Sequence, residues 1–431
     1  MEKGRNWVWI MGIVLVLLLF ETSLIHGEEK RDLLSKFHPY ITVTEEYNNN
    51  IYLTNKHKVD DFITTVGAGF KFSAVEEKKY GIDLDFSAGF VYYAKKHDFS
   101  FFYIPSGTLN ASYAATPRLT FRIHDYITRS DANREQLYTA NALPNQYLLS
   151  TQRGTHAIYI RNVVQPSIDY QFGKENLFSV LYRNNIYNNQ NPLYEDSMEN
   201  TINPKLTYWF DIRNGVELDY SLTLGNFERS PDFLGHGTRA RYSYRFDPKA
   251  TIFGEYFYQK QDFKSPGVDY DVHNPSLGIQ YQFSPTLSGT AQVGYFWQIP
   301  EQGSKTRGPS FNLSLTKSAK RTTYTLSFQG GYTEDYFTAQ NLGFARYYRT
   351  YGTITHQLME KLSVGVTGSL ERPTYSSGQK DWIWGISGNA SYQLLRWLSL
   401  SLQLAHYEDH SNISNLDYSQ YRAIFTATAT F

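Results

Sequence analysis

Residues 398–404 read LSLSLQL. Successive side chains of a β-strand point to opposite sides, so Leu398, Leu400, Leu402 and Leu404 share one face and Ser399, Ser401 and Gln403 the other. One face suits hydrocarbon and the other suits water. Just upstream, LLRW at 394–397 is a short breaker, and before it DWIWGISGNASY alternates again. Downstream the chain closes on YRAIFTATATF, which places Tyr421, Ala423, Phe425, Ala427 and Ala429 opposite Arg422, Ile424 and three threonines, with Phe431 as the last residue. Further back, LGIQYQF at 277–283 sets Leu277, Ile279, Tyr281 and Phe283 against Gly278, Gln280 and Gln282. GVELDYSLTL at 215–224 sets Val216, Leu218, Tyr220, Leu222 and Leu224 against Glu217, Asp219, Ser221 and Thr223.

The breakers fall into two length classes. Short ones occupy 115–118, 173–176, 211–214, 247–249, 284–286 and 394–397; longer polar links occupy 131–154, 190–199, 229–236, 263–274, 299–309, 333–342 and 373–381. Tight turns alternating with long loops are the pattern of a membrane barrel with short periplasmic turns and longer extracellular loops. Most segments reach 10 to 14 residues, enough for a tilted span of about 9 to 11 residues and longer than the usual sandwich strand of about 5 or 6. The reading is an all-β chain forming a single closed antiparallel transmembrane β-barrel of about 20 strands, from near residue 38 to 431. It falls to 18 or 16 if the first region or the stretch near 95–103 is not a strand. Several segments open on proline (Pro105, Pro166, Pro204, Pro275, Pro309), a residue tolerated at the first position of a strand. Tyr92, Tyr93, Phe99, Phe101, Phe102, Trp297, Trp382, Trp384 and Trp397 are candidates for the interfacial aromatic girdles. Glycines in VGAGF and FQGGYTE suit curvature and close strand approach.

At the other end, Lys3 and Arg5 precede the apolar run from Trp7 to Phe20 and the more polar ETSLIHG. A helix of that 14-residue run would span about 21 Å, short of the roughly 30 Å hydrocarbon core. The order is that of a signal peptide, residues 1–27, cleaved before Glu28. A periplasmic segment, 28–37, and the barrel, 38–431, follow. Ten residues leave no room for a globular plug.

The 41 basic and 41 acidic residues balance, which argues against nucleic acid as a partner. The chain has no cysteine, so disulfides, thiolate metal sites and covalent haem attachment are excluded. No HExxH, phosphate-binding glycine loop or EF-hand signature appears. We read no enzyme, catalytic residue, metal or cofactor. The register opposite the apolar face selects the residues expected to line the lumen: Asp83, Asp85, Arg118, Arg122, His124, Lys205, Glu217, Asp219, Arg239, Arg241 and Arg245. Glu217/Asp219 and Arg239/Arg241/Arg245 fall on neighbouring strands, either as a selective constriction or as charge pairs that keep a wet lumen soluble. Loop 131–154 is the internal candidate for a lid.

The alternating hairpins, the PSxxxxxF pattern and Phe431 resemble a large, loosely defined family of bacterial outer-membrane β-barrel porins, of the kind associated with exopolysaccharide systems. The resemblance covers the whole chain after residue 38. It implies an outer-membrane location among lipid and lipopolysaccharide, and insertion by the barrel-assembly machinery, with Tyr421, Phe425 and Phe431 as the C-terminal signal. It also implies contact with periplasmic export components. Two functions stay open: a water-filled channel for passage or export of polar solutes, polysaccharide among them, and a non-conducting barrel that serves as a scaffold or sheaths a secretion or electron-transfer partner.

Overall fold

The computed structural model describes residues 35–76, 79–131, 158–192, 194–337 and 341–431, without the side chains of 105 and 106. The expected signal peptide, 1–27, most of the segment 28–37 and all of loop 131–154 except Asp131 lie outside the described residues.

Among the described residues twenty strands form one sheet. In chain order they are β1 Phe37–Asn48, β2 Asp61–Glu76, β3 Tyr80–Tyr93, β4 Phe101–Thr116, β5 Leu119–Asp131, β6 Ile158–Gln171, β7 Leu177–Asn189, β8 Ser197–Trp209, β9 Asn214–Phe227 and β10 Phe233–Asp247. The second half comprises β11 Ala250–Phe263, β12 Tyr270–Ser284, β13 Leu287–Pro300, β14 Thr306–Ser318, β15 Thr322–Asp335, β16 Gly343–Met359, β17 Leu362–Tyr375, β18 Asp381–Leu395, β19 Leu398–Ser411 and β20 Tyr418–Thr430. Each strand pairs antiparallel with the next. β20 returns to β1, from Asn48 opposite Arg422 to Tyr40 opposite Thr430, and closes the barrel. Closure pairs the backbone without leaving an edge, the condition for crossing hydrocarbon with strands.

The alternation sets the two faces. Leu402, Leu404, Leu277, Phe283, Leu218 and Leu224 point outward and are exposed, as are Tyr421 and Phe425 of the last strand and Phe431 one residue beyond it. Near the periplasmic turns the outward aromatics cluster: Phe172 stacks on Tyr208 at 6.2 Å and Tyr208 meets Phe210 edge-on at 5.0 Å. Phe102, Tyr92, Trp297, Trp382 and Trp397 also face outward, but Tyr93 and Phe101 do not. Adjacent residues of one strand cannot share a face, and both side chains are buried inside with Phe99 packed on them.

The links differ from the reading in one systematic way. The tight turns lie where expected, but the strands run further outward than the sequence breakers imply. β10 starts at Phe233, β12 at Tyr270 and β14 at Thr306, inside segments read as loops. The prolines therefore do not open strands. Pro166, Pro204 and Pro275 sit within β6, β8 and β12, and the ladder breaks beside them: Val164 lies opposite Asn184 and the next paired residue is Ser167, opposite Leu181. Similar jumps follow Ile202 and His273. A missing N–H breaks a rung without ending the strand, and beside Pro204 the Asn203 Nδ2 donates instead to the Tyr220 carbonyl at 2.7 Å.

Candidate functional site: the barrel lumen

In the periplasmic half, inward side chains of adjacent strands form ion pairs that water still reaches. On β2 and β3, Lys71 lies 3.6 Å from Asp85, which also accepts a hydrogen bond from Tyr40 at 2.8 Å, and Asp83 accepts from Ser73 at 2.6 Å. On β5, Arg122 pairs with Asp169 of β6, and His124 Nδ1 lies 2.7 Å from Asn110 Oδ1. Arg118 sits in the β4–β5 turn rather than in the wall. It borders a recess of about 360 Å³ at the periplasmic mouth, together with Arg122, Asp169 and Glu175. Arg245 reaches Glu175 at 2.8 Å and lies over the Trp209 ring at 3.5 Å.

The longest network crosses β8 to β11. Lys205 bonds Glu217 at 2.9 Å. Arg239 lies 2.8 Å from Glu217, 3.0 Å from Asp219 and 3.4 Å from Glu255, which Arg241 meets at 2.6 Å. Three cations (Lys205, Arg239, Arg241) thus face three carboxylates (Glu217, Asp219, Glu255), and the network is formally neutral. The arginines present no bare basic strip, because Glu255 of β11 completes the pairing. Glu255 was absent from the expected lining set, although the alternation of FGEYFYQK places it on the same face as Phe253 and Phe257.

The extracellular half is built differently. β14 pairs with β15 only from Ser318, opposite Thr323, up to Phe311, opposite Gly330, whereas its upper end, Thr306 to Ser310, pairs with β13 alone. Above Gly330 β15 parts from β14, while β16 stays paired with β17 up to Ala345 opposite Tyr375, so the β15–β16 hairpin bends inward and remains joined to the wall along β17. Gly331 has φ +151°, a conformation that costs a residue with a Cβ, and a Cβ on Gly330 would fall 2.5 Å from the Phe311 ring. The two arms stay paired up to Asp335 opposite Gly343 and lie against the inner face of β9–β13. Glu334 accepts hydrogen bonds from Gln259 at 2.8 Å, Gln261 at 3.0 Å and Tyr270 at 2.5 Å. Tyr332 and Phe344 pack on Phe296 with ring centroids 5.2 and 6.3 Å apart, and Phe337 reaches Phe227 at 5.5 Å and Phe233 at 5.8 Å. A second apolar cluster, on β1–β4, joins Ile51, Ile63, Val91, Tyr93, Phe101 and Tyr103.

Two ion pairs at this level are dry. Arg422 meets Glu46 at 2.7 Å with the side chains 1% and 2% exposed, and Arg349 meets Glu371 at 2.9 Å with both at 6%. Neither pair was singled out in the sequence. Their inward register follows from the alternation; their burial does not. Among the described residues no group of three His, Cys, Asp or Glu side chains is placed to hold a metal ion.

Residues 226–431 match the model of the family described as "Putative beta-barrel porin 2". No curated protein matches the chain. Among solved structures, the ferric enterobactin receptor PfeA of Pseudomonas aeruginosa in complex with enterobactin is 9% identical, with 92% of this chain and 81% of that chain covered and a TM-score of 0.51. The alcaligin outer-membrane receptor FauA of Bordetella pertussis is 11% identical over 91% and 76% of the two chains, with a TM-score of 0.49. The outer-membrane protein opdK of Pseudomonas aeruginosa is 10% identical over 92% and 100%, with a TM-score of 0.44. Closure, the apolar outer face and the shared barrel architecture make this chain a bacterial outer-membrane β-barrel, similar over its C-terminal part to that porin family.

Proposed function

We propose that the barrel is a water-filled conduit for passive passage of polar solutes across the outer membrane, with the β15–β16 hairpin covering part of its extracellular mouth. The observation that supports this reading is the partial exposure of the inward charges in the periplasmic half: Arg122 keeps 50% of its side-chain surface, and Lys71 and Asp85 keep 60% and 39%. A lumen filled by side chains would desolvate these groups at a cost of several kcal/mol per ion. A lumen filled with water does not. Because cations and carboxylates cancel along β8–β11, the lining offers hydrogen bonds without a field that strongly selects sign. Neutral polar cargo, glycans included, fits such a wall.

Swelling of proteoliposomes in iso-osmotic sugar solutions tests the proposal. Vesicles holding the folded barrel should swell in small neutral sugars faster than vesicles without it, and more slowly as the sugar grows. Folded barrel that gives no swelling with any sugar would favour the scaffold or sheath reading.

A further inference from the structure

The seam between β14 and β15 is an unfinished ladder. Ser318 N–H donates to the Thr286 carbonyl on the β13 side at 2.8 Å, and Ala319 N–H donates to the Thr322 carbonyl on the β15 side at 2.7 Å. These directions alternate along an antiparallel strand, so the odd-numbered residues of β14 bond toward β15, as far as Phe311 opposite Gly330. The same register, continued, sets Pro309 opposite Tyr332 and Arg307 opposite Glu334. Pro309 has no N–H to give, and there the pairing stops. Arg307 is exposed and makes no ion pair among the described residues.

The hairpin keeps the alternation of a wall strand beyond the point where it bends. Tyr324, Leu326 and Phe328 of β15 and Ile354 of β16 face outward and are exposed. Tyr332 and Glu334 continue the first series and Phe344 the second. These three do not meet lipid. The bend at Gly331 carries them over the inner face of β11 to β13, where Glu334 takes its three hydrogen bonds and both rings pack on Phe296. A face patterned for the outside of the barrel is thus folded against the inside.

We propose that the β15–β16 hairpin is a gate with a second position, in which β15 zips onto β14 up to Arg307 opposite Glu334 and uncovers the mouth while β16 keeps its ladder with β17. The proposal rests on the conduit reading. The two positions satisfy the same groups in different ways, as a bistable element must. Inside, Glu334 is held by Gln259, Gln261 and Tyr270, and Gly331 is kept at φ +151°. In the wall, Glu334 meets the Arg307 guanidinium, an attraction between facing strands. The backbone groups of Arg307, Tyr332 and Glu334 gain strand partners, and Gly331 returns to an extended conformation. Tyr332 then stands beside Pro309, which lies opposite outward Tyr295, so its ring joins the aromatics at that height. The inward position is the resting one.

In the second position Gly308 and Thr333 form a non-hydrogen-bonded pair with Cα atoms about 4.5 Å apart, within disulfide reach. At rest the hairpin separates them: a Cβ on Gly308 would look onto Phe296 at 3.2 Å and Arg346 Cδ at 3.3 Å, whereas Thr333 faces away from the Tyr332 side. The chain has no cysteine, so the full-length refolded barrel carrying G308C/T333C is oxidised mildly beside T316C/T325C, a pair already opposed on the same two strands. Heat-modifiable mobility on gels verifies that each variant folds. Both pairs should cross-link, the first more slowly, and R307C/E334C at the next rung should do the same. Arg307→Glu, which turns attraction into repulsion, should slow the first pair several-fold and leave T316C/T325C unchanged. In planar bilayers the G308C/T333C barrel should pass several-fold more current oxidised than reduced. Cross-linking of T316C/T325C but of neither gate pair, or equal current in the two redox states of a conducting barrel, overturns the gate and leaves the conduit reading standing. Barrels that cross-link yet pass no current in either state overturn the conduit reading, and the gate with it.

Discussion

The two halves of the lumen use the same chemistry with opposite hydration. Near the periplasm, Arg122 with Asp169 and Lys71 with Asp85 are adjacent-strand pairs in contact with water. Near the outside, Arg422 with Glu46 and Arg349 with Glu371 are adjacent-strand pairs almost sealed from it. What differs is the surroundings: Glu46 lies opposite Ile63, a member of the buried β1–β4 cluster, whereas Arg122 and Asp169 border an open recess at the periplasmic mouth. An ion pair in this barrel therefore reports where water is.

The largest effect should come from breaking a dry pair. Arg422→Leu leaves Glu46 buried beside an apolar side chain, and removing one partner of a buried pair costs about 3–5 kcal/mol. Urea unfolding of the refolded barrel should show that loss, and the double variant E46L/R422L should recover much of it. Single variants no worse than the double would mean that the upper pair is hydrated and the contrast between the halves is false.

Next in size is the hinge. Gly331→Val puts a β-branched side chain at φ +151°, a strain of about 1–3 kcal/mol that falls on the hairpin and not on the ladder below Gly330. Limited trypsin digestion should cut faster at Arg346, with the rest of the barrel still resistant. Unchanged protection there would show that Gly331 is no hinge.

The wet pairs should matter little for stability and more for ions. Arg122→Ala should change stability by less than about 1 kcal/mol, as exposed pairs do, and should move reversal potentials toward cation preference because Asp169 loses its partner. Asp85→Ala should shift them the other way. A loss of several kcal/mol in either would place these pairs in a dry environment.

The smallest effect concerns Asp232, in the β9–β10 loop. The hydrogen bond from Lys264 at 2.8 Å and the Phe227 N–H at 2.9 Å hold its carboxyl below the usual carboxylate range. A lowered folded pKa means that this contribution is present above about pH 4, the ordinary value, and fades as pH falls through the folded one. Asp232→Asn should cost less than about 1 kcal/mol at neutral pH, and the difference from wild type should vanish in acid.

The strand count, the closure and the faces of most side chains were legible because alternation has period two, and lipid and water read it oppositely. Leu398 to Leu404 and Val216 to Leu224 are enough to set the register of their hairpins. The path of a hairpin was not legible. Alternation states which side a residue faces but not whether a strand still pairs with its neighbour, so the parting of β15 from β14 at Gly331 left only FQGGYTE as a trace. The inner position of Tyr93 beside outward Tyr92 was available from parity, but counting aromatics near strand ends obscured it. The lining residues were legible as a face; their pairing, and the part of Glu255 in it, needed the register between strands.

Single-channel conductance with the hairpin free and then tethered tests the central claim most directly. Cysteines replacing Gln261 and Glu334, whose side chains meet at 3.0 Å, allow a short bis-maleimide to fix the hairpin against β11. Because the hairpin already lies against β11, a conducting barrel with a partly covered mouth predicts steady openings that change little on bridging. A folded barrel silent in both states, or one that falls silent once the hairpin is fixed in this position, would contradict the account.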